Sequence, residues 1–412
     1  MQYSRVFIDA IGYELAPVVV SSEELECRLA PLYERLRMPP GQLESLTGIM
    51  ERRWWETGYP IAQGATLAAK KALVLADIPP SRIDTLIYAG VCREQFEPAT
   101  ACRVAAALGI SPDAAVYDLS NACLGVLNGI LDVANRIELG QIHAGLIVSC
   151  ESAREINEIV ISRLVAQGDM DMFRNSLATL TGGSGAVAVL VTDGSFNKSQ
   201  RRQLVGGVTQ AAPEYHSLCR WGLDQTPSQS TSDADLAEKI EEVLVQTLHQ
   251  KLRAVLPAGV APKVEGLILA ALKQNLEGIL PSVVKSRIER YLPATFTQFM
   301  TTDSISVLKY GVALGLRTWQ AFLRKLGWMK ENVDKVICHQ VGAGHRDAIL
   351  KTLDIPEVKD FSTYPFLGNM GTVSLPLTAA LAEEREFLVT GNRVGFLGIG
   401  SGLNCLMLGL NW

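Results

Sequence analysis

Cys123 stands among small residues in "DLSNACLGVLNG", from Asp118 to Gly129. The run before it, "AVYDLS", reads as a strand, and the residues after it read as a helix. The thiol is therefore expected on the first turn of that helix. A thiolate is the nucleophile, and a helix N-terminus lowers a cysteine pKa. Ala122 and Gly125 leave room for a substrate. A buried thiol that packs as a small hydrophobe is the competing reading.

A nucleophile needs helpers, and two further stretches supply candidates. "ICHQVGAGH" puts His339 at the end of a β-run, and "PFLGNMGTVSLP" puts Asn369 in a glycine-rich turn before a helix. Histidine can relay a proton. Both residues can donate hydrogen bonds to a carbonyl gaining negative charge, which suits thioester chemistry. Taken singly, His339 also reads as a satisfied core residue and Asn369 as a turn former. His143, His216, His249 and His345 have no such setting and read as structural. The tail "GFLGIGSGLNC" is dense in glycine, which permits close backbone approach, and the Ser401 N–H is a candidate oxyanion donor. No GxGxxG fingerprint is present, because the third glycine is missing and no helix follows.

These residues need a frame. Strand patterns such as "TLIYAGV", "GLIVSCE" and "GAVAVLVTD" alternate with helical ones at Ala62–Ala76, Leu124–Leu139 and Ser304–Leu326. That alternation predicts an α/β fold with buried, mostly parallel sheets. A similar order recurs, so two α/β halves are expected at 1–205 and 206–412. The stretch from Thr226 to Gln298 breaks the rhythm. After a polar start it carries two apolar stripes at helical spacing, which predicts an inserted helical hairpin. It would serve as an extra packing layer, or else as a lid, a membrane-surface contact or a docking element.

Composition narrows the classes. A net charge of -5 with no long basic run argues against nucleic-acid binding. The eight cysteines are scattered without a CxxC, so neither zinc nor any other metal is expected. Several lie in apolar runs, as reduced buried thiols do. The N-terminus lacks a signal-peptide layout, and no apolar run is long enough to span a bilayer. A cytoplasmic protein is expected.

Taken together, the residues resemble the thiolase-fold condensing enzymes of the 3-ketoacyl-ACP synthase III branch. The resemblance rests on "TGIMERR", "SNACLGVLNG", "TGGSGAVAVLV", "CHQV", "GNMGTVSLP" and "GIGSGLNC", which run in family order over nearly the whole chain outside the insertion. It implies a five-layered αβαβα thiolase fold, an obligate homodimer and a Cys-His-Asn triad of Cys123, His339 and Asn369. Within the branch, "REQFEPATA" and "CRWGLD" resemble the OleA group, which joins two fatty acyl-CoAs head to head. In that group a glutamate of one subunit enters the active site of the other, and Glu97 occupies the matching position.

The resemblance implies a non-decarboxylative Claisen condensation through an acyl-Cys123 intermediate, in an olefin or β-lactone type of pathway. Joining two plain acyl thioesters requires removal of an α-proton, so a base is needed, and Glu97 supplies it. A synthase using malonyl-ACP loses carbon dioxide instead and needs none. That decarboxylating reaction, an acyltransferase on the same scaffold, and a non-catalytic scaffold subunit are the rivals. Acyl-CoA is the expected substrate, with no cofactor. Downstream enzymes are expected to dock through 226–298. The Trp and Arg that grip the CoA adenine in fatty-acid-synthesis relatives have no clear match before "TGIMERR", which leaves CoA or a carrier protein open as donor.

Overall fold

The computed structural model describes residues 1–196, 202–226 and 295–412. The chain divides into two compact units, one of Met1–Trp221 with Phe299–Trp412 and one of Gly222–Gln298. Residues 227–294, which carry the expected helical hairpin, lie outside the described residues.

The strands are β1 (Phe7–Leu15), β2 (Val18–Ser21), β3 (Glu51–Trp54), β4 (Thr85–Ala89), β5 (Ala115–Leu119), β6 (Ala144–Glu151), β7 (Gly185–Thr192), β8 (Arg202–Ala211), β9 (Cys219–Thr226), β10 (Thr295–Thr302), β11 (Lys335–Cys338), β12 (Arg393–Gly400) and β13 (Asn404–Asn411). β2–β3 and β9–β10 form separate two-stranded ribbons, and the other nine strands follow the order β11-β12-β13-β8-β1-β7-β6-β4-β5. Outward from the β1–β8 junction, each side repeats one pattern. An antiparallel pair is followed by another antiparallel pair and then by a parallel one. β1 and β8 themselves pair in register at Phe7 with Gln203 and Ile8 with Arg202.

The expectation of mostly parallel sheets is corrected: among the described pairs of the nine-stranded sheet, only β4–β5, β4–β6 and β11–β12 are parallel. The reason is physical. A strand covered on both faces shows the same apolar run whichever way its neighbour points. β7 illustrates this with strict alternation. Val187, Val189 and Val191 face one core, while Ala186, Ala188 and Leu190 face another. β13 does the same with Leu406, Leu408 and Leu410 on one side and Cys405 and Met407 on the other.

Those cores define five layers. The helix Ile61–Ala76 packs its alanine face on one side of β1, β6 and β7. The helices Gly125–Glu138 and Ser374–Glu384 fill the middle, between the two groups of strands. The helices Ser304–Leu326 and Ala343–Leu353 cover the far side of β8, β12 and β13. A helix held between two sheets is apolar nearly all round, and in Ser374–Glu384 every residue from Ser374 to Ala382 is buried. This is the α/β, five-layered αβαβα arrangement that the resemblance implies. No described helix is long and apolar enough to cross a membrane.

Candidate functional site

Strand direction gathers the chemistry. β4, β5 and β6 run parallel, so the segments leaving their C-terminal ends share one edge. Those segments are the loop holding Glu97, the turn holding Cys123, and the end of β6 at Glu151. β11 and β12 are likewise parallel, and His339 and Ser401 follow their ends. Crevices at the carboxyl edge of such strands are where α/β folds build sites. Here a cavity of about 690 Å³ is lined by Cys123, His339, Asn369 and Ser401 together. Its remaining wall is largely apolar, with Leu46, Ile156, Leu177, Trp221, Met300 and Leu308.

The turn at Cys123 is tight. Leu124 N–H donates to the Asn121 carbonyl at 2.9 Å, and Gly125 N–H to that of Ala122 at 3.2 Å. Ala122 adopts a left-handed φ of 44°, a strain of roughly 1–2 kcal/mol for a residue with a Cβ. The helix proper begins at Gly125, with Leu124 as its N-cap. Cys123 thus precedes the first helical turn and does not sit on it, which corrects the sequence reading. Burial, reinforced by Cys219 and Glu151, pushes its thiol up to about 12. Desolvation of a thiolate outweighs any pull from the helix end.

The cap of that helix comes from far away in sequence. Leu124 offers no side-chain cap, and Thr372 Oγ1 accepts the Val126 N–H at 2.7 Å instead. One hydroxyl therefore ties the Asn369 turn to the Cys123 helix. Thr372→Val keeps the shape and leaves the buried N–H unpaired. We expect a loss of about 1–2 kcal/mol in denaturant-induced unfolding. A loss below about 0.5 kcal/mol would show that the bond is dispensable.

Asn369 is held by the "TGGSG" segment. Its backbone N–H donates to the Thr181 carbonyl, and its carbonyl accepts from Gly183 N–H, each at 2.9 Å. A Cβ on Gly183 would fall 2.0 Å from the Leu367 carbonyl oxygen, so only glycine allows this approach. The Asn369 side-chain oxygen accepts the Gly371 N–H at 3.0 Å, which leaves its NH₂ free to donate. His339 follows β11, with its backbone N–H on the Leu397 carbonyl at 3.0 Å. Its Nδ1 is buried and has no hydrogen-bond partner. Burial, with His345 nearby, lowers its pKa to about 4, so the imidazole is neutral at pH 7. The adjacent Gln340 locks the local chain by accepting the N–H groups of Thr363 and Tyr364 at 2.8 and 3.1 Å.

Ser401 lies in the turn between β12 and β13. Asn404 Nδ2 donates to the Ser401 carbonyl at 3.4 Å and to Asn121 Oδ1 at 3.2 Å, linking this turn to the Cys123 turn. A Cβ on Gly400 would lie 3.4 Å from Cys123 N, so glycine gives the close approach anticipated for this tail. Glu97 stands elsewhere. It is exposed beside Phe96, which is 89% exposed, and it does not line the cavity of its own chain.

Several residues escaped the sequence reading. His345, taken as structural, lines the cavity, as do Cys219 and Glu151. His345 carried a faint signal, six positions after His339 in the same run. Glu151 ends an apolar strand at its carboxyl edge, a position that itself marks sites in parallel sheets. Thr372 and Asn404 had no signal beyond their motifs. Among the described residues no cluster of ligands suited to a metal ion is found.

Comparison with known proteins agrees with this geometry. The C-terminal model of 3-oxoacyl-[acyl-carrier-protein] synthase III matches residues 323–412. An acyl-CoA:acyl-CoA alkyltransferase of Shewanella oneidensis is 49% identical over the full length of both chains. One from Xanthomonas campestris pv. campestris is 30% identical, again over all of both chains. A crystal structure of a cysteine-to-serine variant of Xanthomonas campestris OleA, with bound lauric acid and lauroyl-CoA, superposes with a TM-score of 0.78 at 29% identity and covers 100% of each chain. A further structure of that protein replaces a glutamate, and its separation from the replaced cysteine equals that between Glu97 and Cys123. With full-length identity at this level and a cysteine-centred cavity on a five-layered frame, the chain belongs to the acyl-CoA:acyl-CoA alkyltransferases, the OleA group of the thiolase-fold condensing enzymes.

Proposed function

We propose that this protein condenses two long-chain acyl-CoAs head to head into a 2-alkyl-3-ketoacyl-CoA. The observation that carries the reading is one largely apolar cavity holding Cys123, His339, Asn369 and Ser401. The Xanthomonas relative with lauroyl-CoA bound supports an acyl-CoA as the ligand.

In the first half-reaction the Cys123 sulfur attacks the thioester carbonyl. Its proton passes to the neutral His339 and on to the departing CoA. A thiol raised to about 12 does not rest as a thiolate. The charge forms during attack and moves to the carbonyl oxygen, where the N–H groups of Cys123 and Ser401 receive it. In the second half-reaction another acyl-CoA places its carbonyl against His339 and the free NH₂ of Asn369. Glu97 of the partner subunit removes an α-proton, and the carbanion attacks acyl-Cys123. The C–S bond breaks, the sulfur regains a proton, and the β-keto product leaves still attached to CoA. One CoA is released per turnover. The exposed place of Glu97, outside its own cavity, supports a homodimer in which the base arrives from the neighbour.

Supplying the purified protein with a single acyl-CoA and no malonyl donor tests the reading. Free CoA and a branched β-keto product with twice the acyl carbons are expected by mass spectrometry. A requirement for a malonyl donor would instead identify a decarboxylating synthase.

A further inference from the structure

Glu151 is a buried carboxylate with no cation paired to it among the described residues. It is 4% exposed and lines the same cavity as Cys123. Buried carboxylates are ordinarily paired with a positive group. Here the bonds to both oxygens come from uncharged backbone: Oε1 accepts the Val91 N–H at 2.9 Å, and Oε2 accepts the Cys92 N–H at 3.0 Å. Those two amides begin the segment that leaves β4 and reaches Glu97.

The clamp is reinforced on each side. The Tyr88 hydroxyl lies 2.6 Å from the Cys92 carbonyl and 2.8 Å from that of Cys150. Ser152 N–H donates to Cys92 Sγ at 3.4 Å. The far end of the loop is fastened as well. The Asp118 carboxylate accepts the N–H groups of Thr100 and Ala101, each at 2.9 Å. The Glu151 carboxyl carbon would also meet a Cβ on Gly371 at 3.6 Å, which puts it against the Asn369 turn. One side chain therefore touches the root of the Glu97 loop and the Asn369 turn, on the wall that also holds Cys123.

We infer that Glu151 is the positioning residue that fixes the root of the Glu97 loop and so aims Glu97 at the acyl-Cys123 site of the partner subunit. Each of its oxygens accepts a backbone N–H at the root of the loop, so its role here is to hold the loop, while Glu97 is the base. This rests on the condensing function proposed above. It assigns to Glu151 a loss in the second half-reaction and none in the first, because Cys123, His339 and Ser401 are held by other bonds and removing the Glu151 charge eases ionisation of the Cys123 thiol.

Glu151→Gln is the test. The amide oxygen can accept one of the two N–H groups, while its NH₂ opposes the other. Single-turnover acylation of Cys123, read by intact mass, is expected within about threefold of wild type. Condensation per acylated enzyme is expected to fall by about 10- to 100-fold, as small misplacements of a catalytic group do. Hydrogen exchange at Val91 and Cys92 is expected to speed up by the same order. Glu151→Asp, which keeps the charge but withdraws it by one methylene, is expected to fall between the two. Equal losses in both half-reactions, or none in condensation, overturn the inference. Rapid exchange of the Val91 and Cys92 amides in the wild-type protein overturns it too, with no variant needed. Wild type runs alongside: if it makes no β-keto product the functional reading fails, whereas a condensing wild type with an equally active Glu151→Gln overturns only the role of Glu151.

Discussion

Co-expressing Cys123→Ala and Glu97→Gln subunits is expected to restore condensation that neither variant has alone. Cys123→Ala removes the proposed acyl carrier, so its homodimer is expected to form no adduct and no product. Glu97→Gln keeps that carrier and loses the proposed base. Its homodimer is expected to acylate normally and to condense about 10²- to 10⁴-fold more slowly. In the proposed twofold dimer each cavity would combine one subunit's Cys123 with the other's Glu97. A mixed dimer then has one cavity with both residues intact. Random pairing gives about a quarter of wild-type activity per subunit. If Glu97 served its own cavity, no pairing would place the two residues together and the mixture would stay inactive. If Glu97→Gln alone condensed at the wild-type rate, Glu97 would not be the base. The exposure of Glu97 beside Phe96 makes the crossed arrangement the expected one.

What was legible from sequence followed from local rules. Strands with apolar runs and helices with a 3.6-residue period announce themselves, and Ser304–Leu326 fell where its pattern put it. Glycines also spoke clearly in the tail, where "GIGSG" marks a place where backbones come close. Strand direction was not legible. Apolar runs do not encode it, and the mixed sheet replaced the mostly parallel one. Long-range fastenings were hidden for a similar reason. Thr372 caps a helix 246 positions earlier in the chain, and no local pattern announces a cap supplied from there. Glu151 was overlooked because its partners are backbone amides, which every residue possesses. Sequence reading finds the groups that do chemistry more readily than the groups that aim them, since aiming depends on contacts between distant segments.

The same distinction governs the state of Cys123, where local and tertiary effects oppose each other. Proximity to a helix N-terminus argues for a lowered pKa, but burial beside Cys219 and Glu151 pushes it up to about 12. Against an ordinary cysteine at 9.0, that leaves about 10³-fold less thiolate at pH 7. Iodoacetamide, followed at Cys123 by peptide mass spectrometry, is therefore expected to react about 30- to 60-fold more slowly than with free cysteine, since the scarcer thiolate is also the stronger nucleophile. The rate is expected to climb tenfold per pH unit, with no plateau up to pH 10. A plateau below pH 8 would mean a preformed thiolate–imidazolium pair and would overturn the neutral resting state. His339 points the same way, because an imidazole lowered to about 4 is uncharged at neutral pH and cannot hold a thiolate in place. An acyl-CoA, in contrast, brings an electrophilic carbonyl whose oxygen can take the charge as it develops, so acylation at pH 7 is expected to outpace alkylation. The burial that suppresses stray alkylation thus leaves the intended reaction open, because the oxyanion donors proposed at Cys123 and Ser401 would act only on a carbonyl seated between them.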